Sequence, residues 1–130
     1  MKKLLLLITL TFTIFAYDLG SIPKVNFVEI PKGKPTMIEF GKTKCIWCAQ
    51  MAPYLKSIKE EYPESSVYYI NVEKDVLGAI NNNIQAIPTR IFLDANGTEV
   101  GRVMGYIPKE MFLNYMNQYG VIEGNVTVEQ

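Results

Sequence analysis

The chain contains two cysteines, and both lie in Cys45-Ile46-Trp47-Cys48. A dithiol with a two-residue spacer can hold a metal, staple the chain, sit inert in a core, or cycle between thiol and disulfide. Zinc asks for about four ligands, and neither a histidine nor a second cysteine pair exists to complete such a site. A disulfide across two residues closes almost no loop and gains little chain entropy, so a purely structural role is poorly rewarded. Inert core thiols fit badly with the polar Lys42-Thr43-Lys44 that leads into Cys45. Thiol–disulfide exchange is the chemistry the pattern favours. The lack of histidine also removes Ser-His-Asp and Cys-His mechanisms, and leaves proton transfer near neutral pH to a carboxylate or thiol of shifted pKa.

Such a pair needs an element that separates its two sulfurs in environment. From Ile46 to about Tyr62, Met51, Leu55, Ile58 and Tyr62 recur at helical spacing and line one face. Pro53 falls inside this stretch, where a kink is expected, and Pro63 ends it. Cys45 then stands at the helix N-terminus, where unpaired N–H groups and the positive end of the dipole favour a thiolate, the nucleophile of disulfide exchange. Cys48, one turn further in, is expected to be more buried and to resolve the mixed disulfide.

The remaining elements follow from apolar runs and turn residues. Val25 to Ile30 alternates loosely and reads as a short edge strand, and Thr36 to Phe40 as a buried strand. Val67 to Val72 reads as another strand. Glu73 to about Asn83 reads as a short helix with Val76, Leu77 and Ile80 on its apolar side. Thr89 to Leu93 and Glu99 to Met104 flank Asn96-Gly97, a strong hairpin signal. A last helix is expected from about Pro108 to Tyr119, with Met111, Phe112, Tyr115 and Met116 as core candidates; the tail from Gly120 lacks periodicity. The order β-β-α-β-α-β-β-α is that of an α/β domain.

The length suits one domain, with 48% hydrophobic residues to build its core. Thirteen basic and thirteen acidic residues cancel, so nothing points to nucleic acid. The first sixteen residues are a separate object: Lys2 and Lys3 precede an apolar stretch from Leu4 to Ala16, too short to span a bilayer comfortably but suited to a secretory signal or N-terminal anchor. The expected division is therefore 1–16 for that segment and 17–130 for the domain, with its core at about 22–120.

Lys44 to Pro53, with a proline five positions after the second cysteine, resembles the active-site segment of the thioredoxin family. Ile87-Pro88-Thr89, before a strand, resembles that family's cis-proline loop. The resemblance implies a thioredoxin fold, a central mixed sheet of four to five strands flanked by helices. It implies Cys45 as nucleophile and Cys48 as resolving thiol. It also implies a cis Pro88 packed near them, with the Ile87 backbone available to an extended substrate. Glu39, six residues before Cys45 in an otherwise apolar strand, matches the family's buried acid and becomes a proton relay for Cys48. The lysine often found near that acid is replaced here by Tyr69.

The spacer departs from the family's usual pairs. Ile-Trp supplies no imidazole to stabilise a thiolate, so strongly oxidising behaviour is not expected. Trp47, with Ile46, offers an apolar surface for docking substrates, a buried packing role being the alternative. Small exported thioredoxin-like proteins share the pattern of acidic strand, short loop, Cys pair, Met-Ala-Pro and Ile-Pro-Thr. That likeness implies an extracytoplasmic, periplasmic reductase of protein disulfides, acting as a monomer without metal or cofactor. A membrane thiol-electron transporter of the cytochrome c biogenesis type would be its electron donor. An exported oxidase or isomerase, and a non-catalytic binding module, remain open beside it.

Overall fold

Six consecutive buried residues, Thr36–Gly41, make the central strand β1 of the computed structural model, which describes residues 17–123. Burial on both sides is what its near-continuous apolar run requires. β2 (Val67–Asn71) lies parallel to it on one side, and β3 (Thr89–Leu93) antiparallel on the other, followed by β4 (Glu99–Met104). The four-stranded mixed sheet has the order β2-β1-β3-β4. A parallel β1–β2 pair needs a crossover, and α1 (Ile46–Glu61) provides it. α2 (Val76–Asn81) joins β2 to β3, and α3 (Lys109–Gln118) follows β4.

α1 and α3 cover one face. Met51, Leu55 and Ile58 of α1 and Phe112 and Met116 of α3 pack with Met37, Val67 and Phe92 of the sheet, each at most 1% exposed. Full burial of such side chains contributes roughly 1.5–3 kcal/mol each relative to exposure. The other face is built from Ile38, Phe40, Ile70, Ile91 and Leu93, covered by Val25, Phe27, Ile30, Val72 and Ile84. The β3–β4 hairpin turns at Gly97, whose φ of +84° lies where glycine is at ease. Val121 and Ile122 are buried, and their amides donate to the Met116 carbonyl, so the start of the tail is tied down.

Three local expectations are corrected. The stretch from Val25 to Ile30 is not a strand: Phe27–Glu29 forms a single 3-10 turn, preceded by one bridge between Lys24 and Tyr69. The Asn26 amide donates to the Glu29 carboxylate and the Phe27 amide to Asp75 Oδ2, bonds that satisfy this backbone without a ladder. α2 is shorter than its apolar pattern, and Val76, Leu77 and Ile80 are exposed (53%, 70% and 65%). Its small residues Gly78 and Ala79 face inward instead, and a Cβ on Gly78 would stand 2.1 Å from the Asp75 carboxylate that caps the helix. Met111 is 45% exposed because Phe112 and Met116 set the buried stripe of α3. The segment 1–16 and residues 124–130 lie outside the described residues.

Candidate active site

The register brings three chain segments to one edge of the sheet. Phe40 pairs with Thr89 and Thr89 with Met104. The C-terminal end of β1, the start of β3 and the end of β4 are therefore neighbours. The Cys45 loop leaves the first, Ile87-Pro88 enters the second, and Gly105-Tyr106 leaves the third.

Cys45 is the N-cap of α1, in extended backbone, and its Sγ accepts a hydrogen bond from the Cys48 amide at 3.2 Å. That bond uses one of the donors a helix start leaves unpaired, and an anionic sulfur would accept it more strongly. The two cysteines form a disulfide, with Cα atoms 5.2 Å apart. Their environments differ: Cys45 is half-buried, whereas Cys48 is 3% exposed. An incoming thiol therefore has access to the first sulfur and not to the second.

Ile46 and Trp47 project outward at 69% and 56% exposure. The indole lies against Tyr106, ring centres 6.0 Å apart, and the Tyr106 hydroxyl is hydrogen-bonded to that of Tyr54 at 2.9 Å. That bond first, and desolvation second, raises the Tyr106 phenol above its ordinary pKa. Tyr106 did not stand out in the sequence, because it belongs to no motif and comes beside the cysteines only through the hairpin.

The Ile87–Pro88 peptide bond is cis. Pro88 is buried and Ile87 half-buried. The Pro88 carbonyl accepts from the Gly105 amide at 2.7 Å, and Thr89 Oγ1 donates to the Ala86 carbonyl at 2.6 Å. These bonds fix the loop on the same edge as Cys45.

Beneath this edge lies a buried polar layer. Glu39 is 1% exposed, and both of its oxygens are taken by Arg90: Nε donates to Oε2 at 3.0 Å and Nη2 to Oε1 at 2.9 Å. Arg90 Nη2 also donates to the Gly105 carbonyl at 2.9 Å, so the ion pair is tied to the loop beside Pro88. The pairing follows from register, since Glu39 and Arg90 are cross-strand partners. A lone arginine in the apolar strand Thr89–Leu93 was the available signal for it, matching the lone glutamate in β1.

Tyr69 of β2 pairs across from Glu39 on its other side, and its hydroxyl is hydrogen-bonded to that of Tyr17. Burial, then the bond to Tyr17, then the Tyr17, Glu39 and Glu73 charges push the Tyr69 phenol well above its ordinary range. Tyr17 is raised too, chiefly by burial and against the bond from Tyr69. Among the described residues, no group of three or more acidic or cysteine side chains is placed to hold a metal ion.

Residues 28–120 match the family model described as a thioredoxin-like domain. The chain belongs to the thioredoxin-like family. Its members are thiol–disulfide oxidoreductases with a cysteine pair spaced as here. The chain is 32% identical over 107 residues to the chloroplastic thioredoxin-like protein HCF164 of rice, a match covering 76% of this chain and 38% of that one. To thioredoxin-1 of Saccharomyces cerevisiae it is 33% identical over 79 residues, covering 61% and 76% of the two chains. Against the thiol:disulfide interchange protein DsbD of Tatumella citrea the figures are 27% over 96 residues, 67% and 17%. This thioredoxin-like chain thus spans 38% and 42% of the HCF164 proteins of rice and Arabidopsis thaliana. The fold is that of the thioredoxin of Malassezia sympodialis, with a TM-score of 0.67 at 22% identity over 77% of this chain and 91% of that one.

Proposed function

We propose that this thioredoxin-like protein is an extracytoplasmic reductase of protein disulfides. The observation that carries the reading is the asymmetry of the pair: Cys45 half-exposed at a helix N-terminus and Cys48 buried one turn in. The Cys45 thiolate attacks a substrate disulfide. A mixed disulfide forms and one substrate sulfur leaves as thiolate, and Cys48 then displaces the second. The Trp47–Tyr106 surface and Ile46 receive the apolar part of the substrate, while the backbone of Ile87, beside the cis Pro88, pairs with its extended chain. Glu39, held by Arg90, is the acid the family resemblance assigns to proton transfer with Cys48.

The location rests on Lys2, Lys3 and the apolar stretch 4–16. It also rests on likeness to thiol:disulfide interchange proteins named DsbD and TxlA homolog. Those two relatives support a membrane thiol-electron transporter as the donor that re-reduces Cys45 and Cys48.

The test is catalysed reduction of a model protein disulfide, insulin, by dithiothreitol, with the potential of the pair titrated against glutathione. Wild type accelerates reduction, and Cys45→Ser abolishes it. A potential above the glutaredoxin range of about −200 to −230 mV would turn the reading to an oxidase. No acceleration by wild type would leave a binding module.

A further inference from the structure

We propose that the hydroxyl pair Tyr69–Tyr17, rather than Glu39, carries the proton of the Cys48 thiol to and from solvent. The inference rests on the dithiol cycle proposed above and adds two residues to it. Its starting point is Gly41, the last residue of β1. A Cβ built there would stand 3.0 Å from the Tyr69 hydroxyl oxygen and 3.1 Å from Cys48 Sγ. The two atoms converge on one glycine and lie no more than about 6 Å apart, a gap that direct approach of the freed thiol or one bridging water spans.

The hydrogen bonds have a direction. The Tyr17 hydroxyl donates to the Lys42 carbonyl at 2.8 Å. A phenol has one proton, so in the Tyr17–Tyr69 bond Tyr69 is the donor. The Tyr69 oxygen is left with lone pairs to accept from an S–H. A cleft of about 110 Å³ opens beside the pair, lined by Tyr17, Tyr69, Lys24, Thr43, Asn71 and Lys74 among others. Lys24, Thr43 and Lys74 are exposed, so the cleft reaches solvent. Glu39 has no comparable freedom, since both of its oxygens are committed to Arg90. A proton placed on it would leave a buried guanidinium against a neutral partner.

The Cys48 S–H bond breaks, and the resulting sulfur pair attacks Cys45 Sγ in the mixed disulfide. The Cys45–substrate S–S bond breaks, a Cys45–Cys48 S–S bond forms, and the substrate leaves as a thiolate with the electron pair. Two electrons pass from the protein dithiol to the substrate disulfide. The Cys48 proton goes to the Tyr69 oxygen, the Tyr69 proton to Tyr17, and the Tyr17 proton to water in the cleft as its hydroxyl turns from the Lys42 carbonyl. Reduction of the protein disulfide runs the same path backwards. The charges facing this path are Glu39 and its partner Arg90 from β1 and β3, Glu73 and Lys74 ahead of α2, and Lys24 beside β2.

The experiment is stopped-flow reaction of the reduced full chain with 5,5′-dithiobis(2-nitrobenzoate), which releases one nitrothiolate when Cys45 attacks and a second when Cys48 resolves. Across a pH series, Tyr69→Phe is expected to leave the first phase unchanged. It slows the second about tenfold near neutral pH, moving its midpoint up by about one unit. Tyr17→Phe gives the same direction with a smaller shift, and Glu39→Gln leaves the midpoint in place. Second-phase profiles of both tyrosine variants coinciding with wild type, or the shift appearing in Glu39→Gln alone, would overturn the assignment. Tyr17→Phe serves if Tyr69→Phe fails to fold. Because the readout is a single intramolecular turnover, it survives a wild type that fails to reduce insulin, which would sink only the reductase reading.

Discussion

The two faces of the sheet are made by alternate residues of the same strands, yet they differ in kind. On β1, Ile38 and Phe40 point to one side, into an apolar cluster with Ile70, Ile91 and Leu93. Met37, Glu39 and Gly41 point to the other, where the core is apolar at one end and polar at the end below Cys48. Burying Glu39, Arg90 and Tyr69 stabilises less than apolar residues of the same size would, since desolvation offsets the Coulomb attraction. Glu39 and Arg90 instead tie the end of β1 and the start of β3 to the Gly105 loop, so their burial serves the geometry of that edge. A sheet can thus keep one face for stability and reserve a corner of the other for chemistry.

That comparison can be broken by mutation. Arg90→Met leaves Glu39 as an uncompensated buried charge, and a loss of about 3–5 kcal/mol is expected in urea unfolding. Combining it with Glu39→Leu should return most of that loss. On the apolar face Phe40→Ala costs about 3–5 kcal/mol by cavity formation, and no charge change elsewhere restores it. A double variant no more stable than Arg90→Met alone would erase the distinction between the faces.

The faces also respond differently to alkali. The phenols of Tyr69 and Tyr17 have folded pKa values above their ordinary 10.0. Below that pH both states hold the protons and the contribution is complete. Above it the unfolded chain releases protons the native state retains, so stability falls by at most about 1.4 kcal/mol per pH unit for each. Tyr69→Phe should flatten the decline seen by urea unfolding between neutral and alkaline pH. Ile70→Val, in the apolar cluster of the other face, should lower stability by about 0.5–1.5 kcal/mol and keep the slope. The smallest effect is expected for Leu77→Ser on the exposed side of α2, within about 0.5 kcal/mol in the same assay.

How legible each part was follows from the range of the forces involved. β3 and β4 match their apolar runs and Asn96-Gly97 turn to the residue, because period and turn chemistry are local. The cysteine pair was legible for the same reason, its spacing and the following helix pattern being contiguous. The turn at Phe27–Glu29 was missed because its deciding bond comes from Asp75, 48 residues away. The inward side of α2 was missed because close approach selects Gly78 and Ala79 over larger apolar neighbours. Glu39 was legible as a buried acid, but its partner Arg90 depends on strand register, which a linear pattern does not carry. Tyr69 stood out only as a departure from the family, and Tyr17 not at all.

The outer side of β2 carries one more consequence. β2 is an edge strand, and the Lys24 bridge covers it: the Tyr69 amide donates to the Pro23 carbonyl and the Val25 amide donates to the Tyr69 carbonyl, both at 3.0 Å. Those few residues act as a sacrificial hem along the sheet. Clipped at the exposed Lys24 by a trypsin-like protease, the molecule would bare a hydrogen-bonding margin rich in tyrosine and valine. Proteolytic nicking there should show itself as self-association of the cut molecule.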